Sequence, residues 1–309
     1  MTTPVIQPLE SLRLARYAVP ISCYICGTDN TCDAEFCTHC AAPMALAHQA
    51  ASQKIRPRMI AAVGASGAGK TVYLGMLMDI LSQQTKQTQL LARGAFSINM
   101  QQTTVSALAQ CRFPSKTPSE PDRWNWVHCQ VRRHRQRRPL ELIVPDMAGD
   151  AVLEEVNHPH TFRVVRAFLQ KCTAAMILID AVKLKEGTRD PDYFTMKLLS
   201  YLNELGEDGK LGWSRRPVAM IFTKADQCEE CFDDPTAFAR THAAGLWQHC
   251  RQRFGCHRFF ATGVAGTCVW RESFSEGRVQ VPLRIEPRGI VEPFDWLLEE
   301  LAAQGDKKS

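Results

Sequence analysis

No uninterrupted apolar stretch in this 309-residue chain approaches the ~18 residues that a membrane-spanning helix requires. No membrane partner is therefore expected. The opening, MTTPVIQPLE, has no basic region followed by an apolar one, the pattern of an export signal, and a cytoplasmic location is expected. Glycine and proline are sparse, at 18 and 17 residues, which excludes fibrous and disordered classes. A strong charge of either sign is also lacking. The net charge of +5 is accounted for by the arginines among residues 132–138, without which 32 basic groups would face 32 acidic ones. A surface so nearly neutral is not that of a general nucleic-acid coat. With 45% apolar residues, the chain can bury one large core and carry a small appendage.

Cysteine is plentiful, at 13 residues, an odd number that cannot all pair. In a reducing setting, close cysteine pairs bind metal more often than they form disulfides. Cys23 and Cys26 form one CxxC, Cys37 and Cys40 a second, with ten residues between them. Two such knuckles offer four thiolates to one Zn²⁺. Residues 20–43 are therefore read as a zinc ribbon whose folding depends on its metal, with Cys32 and His39 as bystanders. The Ala-rich stretch 44–56 has no strong apolar period and reads as a linker or a marginal helix.

From residue 57 the pattern changes. A short apolar run, Met59 to Val63, is followed by GASGAGKT, comprising Gly64, Ala65, Ser66, Gly67, Ala68, Gly69, Lys70 and Thr71, and then by Val72 and a helix. That helix places Tyr73, Met76, Leu77, Ile80 and Leu81 on one face. Strand, Gly-rich loop and helix in this order make a phosphate cradle: successive N–H groups and the positive end of the helix converge on the anion. Lys70 is expected at the β- and γ-phosphates, and the Thr71 hydroxyl at Mg²⁺.

Downstream, the apolar strand 140–144 leads to Asp146 in DMAG, where a carboxylate can serve Mg²⁺ and the Gly149 N–H a γ-phosphate. A further strand ends at Asp180. Another, 218–222, leads into TKAD, where Asp226 can accept two hydrogen bonds from guanine, a pair that adenine does not offer. Thr223 opens that motif, and the Lys224 stem can lie along the base. Ala261 and Thr262, in ATG, can place backbone amides near the guanine oxygen.

Taken together, GASGAGKT, DMAG, TKAD and ATG resemble the motifs of Ras-like (TRAFAC-type) P-loop GTPases, over roughly residues 57–302. The resemblance implies an α/β fold, a P-loop NTPase with a mainly parallel sheet flanked by helices, preceded by the small zinc ribbon. It also implies GTP and GDP as ligands with Mg²⁺, and hydrolysis that switches the protein between two states. The zinc ribbon ahead of this domain, with IEPRGIVEPFDWLLEEL near its end, resembles the bacterial double-GTPase type, which implies a place in conflict or anti-phage systems. Two features depart from the Ras-like pattern. Asp150 stands where a water-orienting glutamine is usual, so slow intrinsic hydrolysis is expected. The segment between the first helix and strand 124–131 is long. Within it Thr117 is the expected switch threonine, ahead of Thr103 and Thr104.

Other features receive plainer readings. The arginine run sits at a hairpin tip and is read as solvated, with nucleic acid a secondary partner because no aromatics interleave it. Arg163 and Arg166 are read as solvent-facing on a helix. Cys228 and Cys231 lack a matched second knuckle. A protein partner is expected at the ribbon or the switch regions, and a nucleotide-dependent dimer is compatible with the motifs. The rival readings are an interaction module with little turnover and an ATPase that grips nucleic acid.

Overall fold

Three strands of the chain are apolar almost throughout, and they form the centre of the molecule. The computed structural model describes residues 19–53, 57–84, 88–134, 139–205, 212–273 and 277–306. Two compact units divide between Arg56 and Pro57.

The first unit contains a two-stranded antiparallel ladder, β1 (Ile21–Ser22) and β2 (Asp29–Asn30), and helix α1 (Met44–Gln53). Of the two readings of residues 44–56, linker or marginal helix, the structure has the helix over most of the stretch. Met44, Leu46, Ala47 and Ala50 are buried. Three of these four are small or unbranched, so the apolar period is faint in the sequence although the face is buried.

The second unit is a seven-stranded sheet in the order β4-β5-β6-β3-β7-β8-β9. The strands are β3 (Arg58–Gly64), β4 (Thr88–Arg93), β5 (Asn125–Arg133), β6 (Leu140–Asp146), β7 (Ala174–Asp180), β8 (Val218–Thr223) and β9 (His257–Ala261). All pairings are parallel except those of β5, which runs opposite to β4 and β6. Every residue of β7 and β8 is buried, as expected of central parallel strands covered on both faces. At the edge, β4 alternates instead, with Leu90 buried and Leu91 exposed.

One face of the sheet packs on α2 (Lys70–Gln83), α3 (Ala95–Ala109) and α11 (Glu292–Asp306), through Tyr73, Leu77, Leu81, Met100, Phe294 and Leu298 among others. On the opposite face lie α4 (Gly149–Asn157), α5 (Arg163–Lys171) and α7 (Asp190–Leu205), with the Phe168 ring set edge-on to Trp126. Between β7 and α7 sits the short α6 (Ala181–Lys185), and between β8 and β9 lie α8 (Glu229–Asp233), α9 (Pro235–His242) and α10 (Ala244–Arg253). A long hairpin, β10 (Gly263–Ser273) and β11 (Gly277–Arg288), follows β9.

The register aligns the carboxyl ends of the parallel strands. Ala62 pairs with Asp146, Gly64 with Leu178, Asp180 with Thr223 and Phe222 with Ala261. The four motifs therefore emerge at one edge of the sheet, where open α/β folds bind their ligands.

Candidate functional site: a phosphate and base cleft

The loop between β3 and α2 turns through two left-handed glycines, Gly67 (φ 75°) and Gly69 (φ 80°), a conformation costly for any residue with a Cβ. Lys70 opens α2, and its ammonium donates to the carbonyls of Gly64 (3.0 Å) and Ala65 (3.1 Å). Burial pushes the Lys70 pKa below its usual range, against the opposing pull of Asp146 and Asp150.

Beside it, three oxygens converge from distant parts of the chain. Thr71 Oγ1 donates to Asp146 Oδ2 at 2.8 Å and Thr117 Oγ1 donates to the same oxygen at 2.9 Å, while the two hydroxyls lie 3.1 Å apart. Asp146 is wholly buried, and its other oxygen, Oδ1, has no hydrogen-bond partner among the described residues. Burial raises its pKa; the two threonine hydrogen bonds and Lys70 oppose that shift. A buried carboxylate oxygen without a partner, beside two hydroxyls, is a donor set that fits a hard divalent cation such as Mg²⁺.

The residue after Thr117 has a side-chain tether: Trp124, itself buried, donates its indole N–H to the Pro118 carbonyl at 2.9 Å. Gly149 begins α4 against the loop. A Cβ there would lie 2.4 Å from Ser66 N and 2.7 Å from Gly64 O, so no larger residue fits.

At the base end, Lys224 adopts a left-handed conformation (φ 57°) and its ammonium reaches Asp180 Oδ2 at 2.5 Å. Asp180 Oδ1 accepts from the Val182 and Lys183 amides. The Ala225 N–H donates to Thr262 O at 3.1 Å, joining TKAD to ATG. Burial pushes the Asp226 carboxyl up to about 6.

A single cleft joins these parts. Its lining includes Ser66, Gly67, Gly69, Lys70, Thr71, Val72, Thr117, Gly149, Thr223, Lys224, Asp226 and Thr262. Several expected residues do not line it: Gly64 ends β3, Ala65 and Ala68 lie in the body of the loop, Asp146 lies behind the two threonines, Ala261 ends β9, and Asp150 is exposed. Thr103 and Thr104 lie on α3, away from the cleft. Sequence reasoning missed Phe113, Lys116, Cys268 and Gln280, which do line it. It also missed Asp180 and Trp124 as supports. Asp180 carried a signal, a carboxylate at a strand end like Asp146. Trp124 carried none beyond its position before a strand.

In the first unit the sulfurs of Cys23, Cys26, Cys37 and Cys40 lie within 4.8 Å of one another. Cys23 and Cys40 are 3.7 Å apart, and Cys26 and Cys37 3.5 Å. A tetrahedral ion with ~2.3 Å bonds to sulfur places its ligands ~3.8 Å apart, so the four fit Zn²⁺. The buried Asn30 donates its amide to Cys37 Sγ at 3.5 Å and accepts from the Thr38 N–H at 2.8 Å, a support of the kind that orients metal ligands. Cys32 and His39 stand outside the cluster. No other group of three such donors converges among the described residues, and Cys228 and Cys231 are buried thiols. Arg163 is exposed, Arg166 half-buried, and neither lines the cleft. Of the arginine run, Arg133 pairs with Glu299 at 3.0 Å, while Arg135, Arg137 and Arg138 lie outside the described residues.

The parallel sheet with its Gly-rich loop at the carboxyl edge defines a P-loop nucleotide-binding protein. A family model described as Double-GTPase 2 matches residues 58–262, and the chain belongs to that family. Among solved structures it is similar to an ADP-ribosylation-factor-like GTP-binding protein (small COPII coat GTPase) from Encephalitozoon cuniculi in complex with GDP, at 15% identity and a TM-score of 0.40. That match covers 82% of this chain and 83% of the other. It is also similar to a putative nucleolar GTP-binding protein 1 from Plasmodium falciparum, at 11% identity and a TM-score of 0.44, covering 82% and 90%. No curated protein matches the chain.

Proposed function

We propose that this chain is a Mg²⁺-dependent switch that binds and slowly hydrolyses GTP, with its zinc ribbon as a docking module for a protein partner. The observation that carries the reading is the convergence of Thr71, Thr117 and Asp146 on one point beside Lys70. Two of these residues belong to fixed elements. Thr117 belongs to an irregular segment, so its position can follow the state of the nucleotide.

Lys70 holds the β- and γ-phosphates and neutralises charge that develops between them. Its contacts with the Gly64 and Ala65 carbonyls keep the ammonium aimed along the loop. The Gly149 N–H, at the start of α4, meets the γ-phosphate and relays its loss to that helix. Asp226 accepts from the guanine N1–H and amino group, and Asp180 holds Lys224 beside the base. Mg²⁺, when bound by Thr71, Thr117 and Asp146, supplies positive charge to the phosphate oxygens.

Asp150 argues for slow turnover. An exposed carboxylate next to the γ-phosphate position repels it and cannot donate a hydrogen bond to orient water as an amide does. For the ribbon, metal coordination in place of a large core and the exposed apolar residues Val19 and Phe36 support a docking role.

Multiple-turnover phosphate release from GTP tests the reading. The expected result is slow release that stops with EDTA, is abolished by Lys70→Ala and is faster in Asp150→Gln. Release from Lys70→Ala at the wild-type rate would contradict it.

A further inference from the structure

The sheet is complete at β9, yet the chain does not proceed directly to α11. It first builds the β10–β11 hairpin, which starts at Gly263, one residue past Thr262. No motif in the sequence assigns that hairpin a task.

Its attachments are concentrated on one segment. A Cβ at Gly263 would lie 2.6 Å from Asp226 Oδ1, so β10 runs directly against the base-reading carboxylate. Gln280 on β11 donates its side-chain amide to Gln227 Oε1 at 3.3 Å. Arg288 donates to Glu229 Oε1 at 2.6 Å and lays its guanidinium over the Phe232 ring at 4.0 Å. The hairpin therefore grips residues 226–232 at three points. It also faces the cleft: Val264, Ala265, Cys268 and Gln280 line the same space as Lys224 and Asp226. Burial and the nearby Asp226 raise the Cys268 pKa, so the thiol meets a ligand as a small neutral group. The face continues outward. Trp270 pairs with Gln280 and lies two residues beyond Cys268, so it shares their side of the ladder, with Arg278 stacked on its ring at 5.1 Å.

We propose that the β10–β11 hairpin is a base-recognition element, in which Val264, Ala265, Cys268 and Gln280 form a wall that packs against the purine ring beside Lys224 and Asp226. The inference rests on the reading that guanine sits next to Asp226. Apolar and neutral groups on this wall exclude water from the hydrogen bonds to Asp226, which strengthens them. The Gln280–Gln227 contact sets the distance between wall and motif.

Two measurements on the zinc-loaded 309-residue chain test it. Hydrogen exchange with and without GDP needs no variant: GDP is expected to slow exchange of β10 and β11 amides by about tenfold or more. In fluorescent-GDP titrations, Cys268→Phe is expected to weaken binding about 30-fold or more by filling the slot, and Cys268→Ala by about threefold or less. Hairpin amides that GDP leaves unprotected would overturn the inference, as would Cys268→Phe binding GDP like the wild type. Should Cys268→Phe not fold, the exchange result decides. Wild-type protein that binds ATP and not GDP would instead overturn the parent reading.

Discussion

Asp226 carries the guanine reading at the scale of single residues, and its burial gives it a pH signature. Desolvation holds its carboxyl at about 6 in the folded protein, against 3.8 for the free group. The folded state therefore favours the protonated form, and this contribution to stability is present at low pH and lost as pH rises through about 6. Guanine requires the opposite form, the carboxylate that accepts both N–H groups. GDP affinity is therefore predicted to be flat above about pH 7 and to fall toward a limit of about tenfold per unit below about pH 6. Asp226→Asn should bind GDP weakly with no such bend; a wild-type profile without a bend near pH 6, measured by titration calorimetry, would contradict the assignment. Gly149 shows how completely some site residues can be read from the sequence. Only glycine fits where α4 touches the phosphate loop, so DMAG was legible as a motif for a steric reason. Lys224 and Asp180 show the limit. Forty-odd residues separate them, and no local pattern announces their 2.5 Å contact.

Legibility at the scale of elements followed the strength of the apolar pattern. The buried strands β3, β7 and β8 and helix α2 stood out because their apolar residues are large and regularly spaced. The long segment between α2 and β5 shows no strong apolar period, yet it holds β4 and α3. The buried face of α3 is Ser97, Met100, Thr104 and Leu108, half of it polar, so hydrophobic periodicity could not mark it. Ser97 is buried because its hydroxyl bonds the backbone of His128 across to β5, a long-range contact. Strand β10 begins inside the ATG motif, at Gly263, and is hidden behind it. Helix α1 carries a prediction. It belongs to the unit stabilised by the four cysteines, and a unit this small depends on its metal. Removing zinc with a chelator, or Cys37→Ser, is predicted to expose residues 19–53 to rapid hydrogen exchange and proteolysis. GDP affinity should change by about twofold or less. A ribbon that keeps its protection without metal would refute the zinc assignment; a large loss of GDP affinity would refute the independence of the two units.

For the whole molecule, the sheet order is what brings four motifs, spread over residues 64–263, to one edge. Apolar runs could give the strands and the motifs could give their common side, but the order β4-β5-β6-β3-β7-β8-β9 required the tertiary structure. Two further parts flank that frame along the chain: the four-cysteine unit before it and the β10–β11 hairpin after β9. Whether the cleft selects guanine is decided by competition of GTP, GDP and ATP for a fluorescent guanine nucleotide on zinc-loaded protein with Mg²⁺. GTP and GDP are expected to displace it at concentrations about a hundredfold or more below those needed for ATP, the discrimination that follows where a buried acceptor would be left unpaired. Equal or better displacement by ATP would contradict guanine selection and put an ATPase in its place.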